Sequence, residues 1–370
     1  MINSQPNVLM TADAIGGIWT YALDLGRELA SKKFKITLAV LGPGLDEAKK
    51  QAAVKAGLHV IDTRLQPEWL AADEAEVARA SEMLATLARQ ESVDLIHLNH
   101  PALAAHAPFP APILAGCHSC VATWWEAVKG TPLPDEFRWR TDLVGRGYRA
   151  AQARVAPSRA FAEATQRIYE LEQLPEIVHN GRAPNAEANV SVSPVDAIFT
   201  AGRLWDEAKN IKTLDRVAAL TSVPIRAAGA THGPNGTEVT LDHIEALGPL
   251  PEPEMRKRFA ERPIYVSAAL FEPFGLAVLE AAQAGCALVL SDIESLGELW
   301  HDSALFVPPH DEEGFAAAIG RLLSDPDLRA DYAHAAQNRA RAFGLDAFSE
   351  DMAILYRSIL SDAGRKDTAA

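Results

Sequence analysis

The sequence predicts an α/β protein that contains two successive doubly wound parallel sheets. Short apolar segments alternate with segments of helical periodicity, and this alternation stops once and then restarts. Between the two halves, residues 180–194 (NGRAPNAEANVSVSP) are small, polar and without periodicity, as is typical of an interdomain linker. With 370 residues, of which 48% are hydrophobic, each half is long enough to bury its own core.

The first half opens with a predicted strand at 7–11, a glycine turn, a helix and a second strand at Lys35–Leu41. Two strands joined through a helix run parallel. The remaining elements predicted in this half are a helix at 73–90, strands at 93–98, 113–116 and 155–157, and a helix at 158–169.

The second half repeats the same alternation. Its predicted strands are at 197–201, 225–228, 243–247, 264–266 and 287–291, and its predicted helices are at 210–221, 252–261 and from 274 onward. We therefore expect domains at 1–185 and 186–345, with a C-terminal helix at about 346–362 that packs back on the first domain.

Composition excludes some classes of partner. The formal net charge of −14 argues against nucleic acid, because a surface that neutralises phosphates is normally basic. Three cysteines, no secretory leader and no apolar stretch of about 18 residues predict a cytoplasmic protein. Attachment to a membrane surface stays open.

The motif Cys117-His-Ser-Cys120 follows the predicted strand at 113–116. Redox chemistry would place such a motif in a thioredoxin-like unit, and zinc would need further ligands. Structural cysteines are the first interpretation and zinc is the last. The histidines close enough in sequence to complete a zinc site are His97, His100 and His106.

Ligands of open parallel sheets bind beyond the carboxyl ends of the strands, so residues that follow strands are candidates for a site. Gly16 and Gly17 let backbone N–H groups approach a phosphate or sugar at a helix start, although a plain tight turn explains them equally. His118 could face a ligand there or be a satisfied core histidine. Arg203 and Lys209 flank a turn and suit a diphosphate, unless both lie in solvent.

The predicted helix after Pro273 is apolar or small at most positions, yet Glu280 lies in its middle and Glu272 just before it. A buried carboxylate without donors costs several kcal/mol, so Glu280 needs partners. An arginine of the same domain is one answer. The vicinal diol of a ribose is the other, with a diphosphate at the helix N-terminus and a sugar ring near Glu272.

Together these motifs resemble the retaining glycosyltransferases of family 4. The resemblance is carried by the two glutamates Glu272 and Glu280 in an E-x7-E pattern, Gly-Arg-Leu with Lys-Asn at 202–210, His-Asn-Gly at 179–181, and ELWHDSALFVP at 298–308. It spans roughly residues 7–343. It implies the GT-B fold, two Rossmann-like domains that face a cleft, with an N-terminal acceptor-binding domain and a C-terminal domain that binds a nucleotide-diphosphate sugar.

The resemblance also implies roles for individual residues. Arg203 and Lys209 would bind the diphosphate and stabilise the leaving group, and Glu272 would bind hydroxyls of the donor sugar. His118 would lie beside the reacting sugar, which makes these four the expected catalytic set. The donor would also contact Glu280 through its ribose and the backbone amides of Phe274, Gly275 and Leu276. Gly16 and Gly17 would admit either the diphosphate of the donor or the acceptor.

Such enzymes resemble one another in needing no tightly bound metal, and the D-x-D at 325–327 lies in a polar turn that makes a poor metal site. We expect transfer of a hexose with retention, from UDP in preference to GDP, to the hydroxyl of a glycan, a lipid-linked saccharide or a small molecule. A nucleotide-sugar epimerase and a non-catalytic nucleotide-sugar-binding protein are the alternatives.

The loop at 229–247 and the acidic net charge depart from the family pattern. We expect residues 229–247 to form a short loop with a tight turn at 233–236, which would reduce the surface that recognises the base. Residues 137–154 (FRWRTDLVGRGYRAAQAR) carry arginines among aromatics. We expect mostly a solvated helix face there, which could contact an anionic acceptor or membrane headgroups.

Overall fold

The computed structural model describes residues 5–184 and 194–369. The chain divides into two compact units. The first consists of the residues up to Asn180 together with those from Leu345 onward, and the second is Gly181–Gly344. The predicted linker at 180–194 lies mostly within 185–193, outside the described residues.

The first unit contains a seven-stranded parallel sheet. Its strands are β1 (Asn7–Asp13), β2 (Lys35–Leu41), β3 (His59–Asp62), β4 (Leu95–Leu98), β5 (Ile113–Gly116), β6 (Ala153–Ala156) and β7 (Glu176–Ile177), in the order β3-β2-β1-β4-β5-β6-β7. Its first helices are α1 (Gly17–Ser31), α2 (Glu47–Lys55), α3 (Glu74–Gln90), α4 (Val121–Lys129), α5 (Arg138–Ala150) and α6 (Arg159–Tyr169). All seven residues of β1 are buried, as expected for a central strand covered on both faces.

The second unit contains a six-stranded parallel sheet. Its strands are β8 (Ile198–Ala201), β9 (Ile225–Ala228), β10 (Glu245–Gly248), β11 (Ile264–Ser267), β12 (Leu288–Ser291) and β13 (Leu305–Val307), in the order β10-β9-β8-β11-β12-β13. Its helices are α7 (Ile211–Ala218), α8 (Glu252–Ala260), α9 (Leu276–Ala284), α10 (Glu294–Trp300), α11 (Glu312–Ser324) and α12 (Pro326–Ala340).

The final helix, α13 (Leu345–Ala369), belongs to the first unit. Phe348, Met352 and Tyr356 on this helix are buried in the same apolar cluster as β1 and α1. The Tyr356 hydroxyl lies 2.7 Å from Nδ1 of His97 on β4, so a polar contact accompanies the apolar packing.

Each sheet has one point where the strand order reverses. In the first unit it lies between the neighbours β1 and β4, and in the second between β8 and β11. Ligands of open α/β sheets bind outside the carboxyl ends of the strands at such a point. The loops after these four strands are therefore the places to look for a site.

One predicted strand is shifted. The sequence places a strand at 243–247, whereas β10 begins at Glu245 and ends at Gly248. The buried carboxylate of Asp215, on α7, accepts hydrogen bonds from the backbone N–H groups of Asp242, His243 and Ile244 at 2.9–3.0 Å. Those N–H groups are therefore unavailable for a strand ladder.

Among the described residues, no helix is both long enough and apolar enough to cross a membrane.

The packing of α5 predicts that a side chain at Gly147 would clash with its neighbour. A Cβ atom on Gly147 would lie 1.8 Å from the carbonyl oxygen of Pro101, so we expect Gly147→Ala to destabilise the protein by about 1–3 kcal/mol or more. Gly364→Ala on exposed α13 is the matched control, because a Cβ there has no neighbour within 4 Å, and its effect should stay below about 1 kcal/mol. Thermal unfolding measures both; equal midpoints for the two variants would contradict the close approach.

Candidate active site

In the second unit, the loop after β8 holds both predicted cations. The side chain of Lys209 passes over Gly202, since a Cβ there would contact Lys209 carbons at 3.6–3.7 Å. Asn210, in the left-handed region with φ 51°, donates from Nδ2 to the carbonyls of Ala268 and Pro309 at 2.9 and 2.8 Å. The first bond joins the loop after β8 to the loop after β11, and the second joins it to the segment after β13.

That second loop carries Glu272, and its carboxylate forms an ion pair with Lys209. Both side chains are largely buried, with 22% of Lys209 and 16% of Glu272 exposed. The Glu272 backbone carbonyl also accepts a hydrogen bond of 2.6 Å from the hydroxyl of Ser295. The predicted sugar-binding acid and the predicted phosphate-binding cation are therefore in direct contact.

Arg203 is held at the other side of the same loop. Its guanidinium donates to Asp206 Oδ2 from Nη2 at 2.7 Å and from Nε at 3.2 Å, and it lies 5.8 Å from the Trp205 ring centroid. The second oxygen of Asp206 accepts from the Ala208 N–H at 3.1 Å. With 42% of its side chain exposed, Arg203 remains accessible to a ligand.

The start of α9 lies beside Glu272. Gly275 precedes the helix with φ 87°, a conformation that L-residues avoid, and a Cβ there would lie 3.3 Å from the Cγ of Glu272. The N-cap residue is this glycine, so no N-cap side chain accepts from the N–H groups of the first turn, which begins at Leu276. Phe274 is buried and packs edge-on against Phe343 at 5.5 Å.

Glu280, one turn further along α9, has a protein partner. Arg182 Nε donates to Glu280 Oε1 at 2.7 Å, with 13% of the arginine and 25% of the glutamate side chain exposed. Of the two explanations that the sequence left open for this carboxylate, the arginine of the same unit is therefore present. Ribose binding by Glu280, the other explanation, stays a prediction.

In the first unit, the loop between β1 and α1 contains the predicted glycines. Gly16 has φ 86° and precedes α1, and both Gly16 and Gly17 are exposed. Asp13 at the end of β1 shapes this loop, because its Oδ1 accepts from the Ile15 N–H at 2.8 Å. The other Asp13 oxygen lies 3.3 Å from Nε2 of His100, which follows β4.

His118 lies beyond β5, beside the same loops. Asn99 Nδ2 donates to the Thr11 carbonyl at 2.6 Å, which leaves Asn99 Oδ1 to accept from His118 Nε2 at 2.7 Å. Burial, with a smaller contribution from His100, lowers the pKa of His118 to about 4. The imidazole is therefore neutral at pH 7, with its proton on Nε2 and a lone pair on Nδ1.

A buried acidic cluster beneath these loops was not predicted. Glu68, Asp13 and His100 are each at most 5% exposed. Burial raises the pKa of the Glu68 carboxyl. Burial alone would lower the pKa of His100, but the carboxylates of Asp13 and Glu68 outweigh this effect and raise it. The position of His100 directly after a strand could have identified it; Glu68 lies in an irregular segment and carries no such signal.

Cys117 and Cys120 have the surroundings of structural cysteines, as the first interpretation of the motif expected. Cys120 precedes α4, where its sulfur accepts from the Thr123 N–H at 3.4 Å and from the Tyr169 hydroxyl at 2.8 Å. Burial raises the pKa of Cys117 to about 12 and also raises that of Cys120, so neither is a reactive thiolate.

The histidines considered for zinc have separate partners: His97 contacts Tyr356, His100 contacts Asp13, and His106 lies 3.5 Å from Glu74. Within 5–184 and 194–369, no three His, Cys, Asp or Glu side chains are grouped so as to hold a metal ion.

The arginines of 137–154 include an exposed face, as expected, with Arg138, Arg146 and Arg149 exposed, but several of them also bond within the first unit. Arg140 donates to the carbonyls of Glu68 and Ala71 at 3.1 and 2.7 Å, and Arg149 donates to the carbonyl of Tyr169 at 3.3 Å. The helix also buries Leu143, Val144 and Tyr148. Its cations therefore fasten α5 to neighbouring segments.

The short loop after β9 contains the tight turn predicted at 233–236, within a small hairpin. The Gly236 N–H donates to the Gly233 carbonyl at 3.1 Å, and His232 pairs with Glu238 across the hairpin. The Trp205 ring lies against Gly233, where a Cβ would approach Cδ2 of the ring to 2.7 Å.

A cavity of about 330 Å³ in the second unit lies at the opposite edge of the sheet. Its lining includes Pro194, Arg262 and Ala287, which precede β8, β11 and β12 at their amino ends. It is therefore separate from the predicted site residues of this unit.

Comparison with protein families assigns both halves of the chain. Residues 15–185 match the model of Glycosyltransferase Family 4, and residues 238–339 match the model of Glycosyl transferases group 1. The two matches follow one another along the chain and together cover most of it.

Curated relatives match over shorter segments. A phosphatidyl-myo-inositol mannosyltransferase from Mycolicibacterium smegmatis is 30% identical over 127 residues, which are 34% of this chain and 33% of that protein. A glycogen synthase from Mycobacterium tuberculosis is 39% identical over 104 residues, 28% of this chain and 21% of that protein. These matches thus span a third or less of the length of the relatives.

Solved structures match over nearly the whole chain. The structure of sucrose-phosphate synthase from Thermosynechococcus elongatus has a TM-score of 0.76 at 18% identity and covers 97% of this chain and 100% of that chain. Anabaena HepE in complex with UDP and glucose has a TM-score of 0.72 at 18% identity, covering 95% and 99%. The predicted family and fold are confirmed: the chain belongs to the family 4 glycosyltransferases and has the GT-B fold.

Proposed function

We propose that the protein transfers a hexose from a nucleotide-diphosphate sugar to a hydroxyl acceptor. The observation that carries this proposal is the convergence of Arg203, Lys209, Glu272 and the uncapped start of α9 at the carboxyl edge of the second sheet. Two cations and a row of helix N–H groups favour a diphosphate, and the adjacent carboxylate favours hydroxyls.

In this proposal the second unit binds the donor. The diphosphate lies at the start of α9, against the backbone of Phe274, Gly275 and Leu276. Its ribose reaches Glu280 one turn along the helix, and the hexose reaches Glu272. The spacing of the two glutamates supports an extended ligand of this kind, since the residues of α9 that separate them cover roughly one helical turn.

Bond cleavage between the hexose and the β-phosphate moves negative charge onto the phosphate oxygen. Arg203 and Lys209 stabilise that charge as it develops, which lowers the barrier more than it strengthens binding of the intact donor. The acceptor hydroxyl attacks the anomeric carbon from the face of the leaving group and gives its proton to the departing phosphate, so the configuration is retained. Glu272 acts by binding hydroxyls in this scheme, and the charge is stabilised without a metal ion.

We further propose that the first unit binds the acceptor. Gly16 and Gly17 expose a helix start there, and the lone pair on Nδ1 of His118 can accept a hydrogen bond from a sugar hydroxyl. UDP is proposed over GDP because it is the more frequent donor nucleotide in the family. The expected cytoplasmic location stays a prediction.

A ligand screen tests the proposed function. Thermal unfolding is followed with UDP, GDP, ADP and their glucose, mannose and N-acetylglucosamine adducts, each with EDTA and then with Mg²⁺. One nucleotide series should raise the unfolding midpoint to a similar extent in both conditions, because a ligand of the native state stabilises it. No shift with any nucleotide would contradict the proposal, and a shift that requires Mg²⁺ would contradict metal independence.

Lys209→Ala tests stabilisation of the leaving group. We expect kcat to fall by about 100-fold or more, while the Kd of the donor changes by less than about tenfold. Lys212→Ala, on the exposed face of α7, is the control and should retain normal turnover. If Lys209→Ala weakened donor binding as much as it slowed turnover, Lys209 would only hold the donor.

His118 should remain neutral across the physiological range. Because its pKa is lowered to about 4, the NMR signal of its imidazole should show no titration midpoint between pH 5 and 8. His118→Gln identifies the signal by its loss. A midpoint near 6.5, the usual histidine value, would show that the imidazole is solvated and contradict a buried neutral acceptor.

A further inference from the structure

We propose that Arg182 is a positioning residue for donor recognition, which orients the carboxylate of Glu280 so that it accepts both hydroxyls of the donor ribose. This inference rests on the proposed function, in which Glu280 binds the ribose. It adds a residue that touches neither the sugar nor the phosphate and acts only through Glu280.

The contact has the geometry of a strong, fixed interaction. Arg182 Nε lies 2.7 Å from Glu280 Oε1, and Nη2 of the same guanidinium lies 3.5 Å from Oε1 of Glu252. Charge-assisted bonds to a planar guanidinium fix direction as well as distance. With only 13% of its side chain exposed, Arg182 is shielded from competing water.

The backbone of Arg182 is fixed as well. Its N–H donates to the Phe343 carbonyl at 3.3 Å, and residue 182 forms a parallel bridge with Gly344. Its carbonyl accepts from Nε2 of Gln283, on α9, at 3.0 Å. Arg182 is thus held to the same helix by both its main chain and its side chain, which is the arrangement that a rigid support for Glu280 requires.

The bond from Arg182 does not occupy every acceptor position of the Glu280 carboxylate. An ionised carboxylate offers about four acceptor positions on its two oxygens, and the Nε–H of Arg182 is directed at one oxygen, Oε1, so this bond does not by itself exclude the hydroxyls of a ribose. An ionised carboxylate can accept from both hydroxyls of a diol. Arg182 and ribose therefore bind Glu280 together and do not compete for it.

The test compares UDP with 2′-deoxy-UDP by isothermal titration calorimetry, in the wild-type protein and in Arg182→Gln. If the screen selects guanine, GDP and 2′-deoxy-GDP replace them. The wild type should prefer the ribonucleotide by about 10–100-fold, because a hydrogen bond to a charged group is lost with the hydroxyl. In Arg182→Gln, affinity for UDP should fall about tenfold and the preference should shrink to about threefold or less.

Two further variants separate positioning from folding. Glu252→Gln leaves the contact between Arg182 and Glu280 in place and should keep the full preference. Arg182→Lys keeps the charge but loses the planar fork, so it should recover part of the preference. If Arg182→Gln does not fold, Arg182→Lys carries the test, with a preference clearly below that of the wild type.

Each outcome has a distinct meaning. A wild-type protein that binds both nucleotides equally would contradict ribose binding by Glu280 and hence the proposed function on which the inference rests. A normal preference in the wild type that persists unchanged in the Arg182 variants would overturn positioning alone. Tighter UDP binding by Arg182→Gln would show that Arg182 competes with the ribose.

Discussion

The ion pairs of the second unit are the constraint on which the rest of the site depends. A carboxylate within the apolar surroundings of α9 is stable only if donors surround it, and Arg182 supplies one to Glu280. Lys209 likewise donates to Glu272, and the Asp206 carboxylate accepts from the guanidinium of Arg203. The charged side chains of the site thus pair with one another before a sugar nucleotide binds. An anionic ligand binds to charges whose positions are already fixed.

Topology determines where these charges lie. The reversal of strand order beside β8 and β11 leaves two adjacent loops at the carboxyl edge of the sheet, and Asn210 joins them through its bond to Ala268. The same reversal in the first unit brings Asp13, His100 and His118 to one edge of that sheet. Preorganised charges and dipoles of this kind cost no rearrangement when charge develops in the reaction.

Local sequence was sufficient wherever periodicity and strand ends determine the structure. The strand Lys35–Leu41 has the predicted bounds, and the helix predicted at 73–90 is α3, Glu74–Gln90. Family motifs identified the two loops of the second unit, because their residues are adjacent in sequence. In contrast, the partner of Glu280 lies 98 positions away, and no local pattern connects it with that glutamate.

The other departures have the same origin. Asp215 takes the backbone N–H groups of 242–244 and so shifts the start of β10, a bond across 27 to 29 positions. The arginines of α5 look like a charged surface in sequence, yet Arg140 bonds to carbonyls about 70 positions earlier. Long side chains whose stems are buried and whose charges bond to the backbone cannot be distinguished from solvated ones by periodicity.

The crystal structure of the protein with bound UDP tests the central claim most directly. The account predicts the diphosphate at the start of α9, within hydrogen-bond distance of Arg203 and Lys209, and the ribose hydroxyls about 3 Å or less from the Glu280 carboxylate while Arg182 still contacts it. UDP bound at the amino edge of the sheet, or a Glu280 carboxylate contacted by Arg182 with the ribose elsewhere, would contradict it.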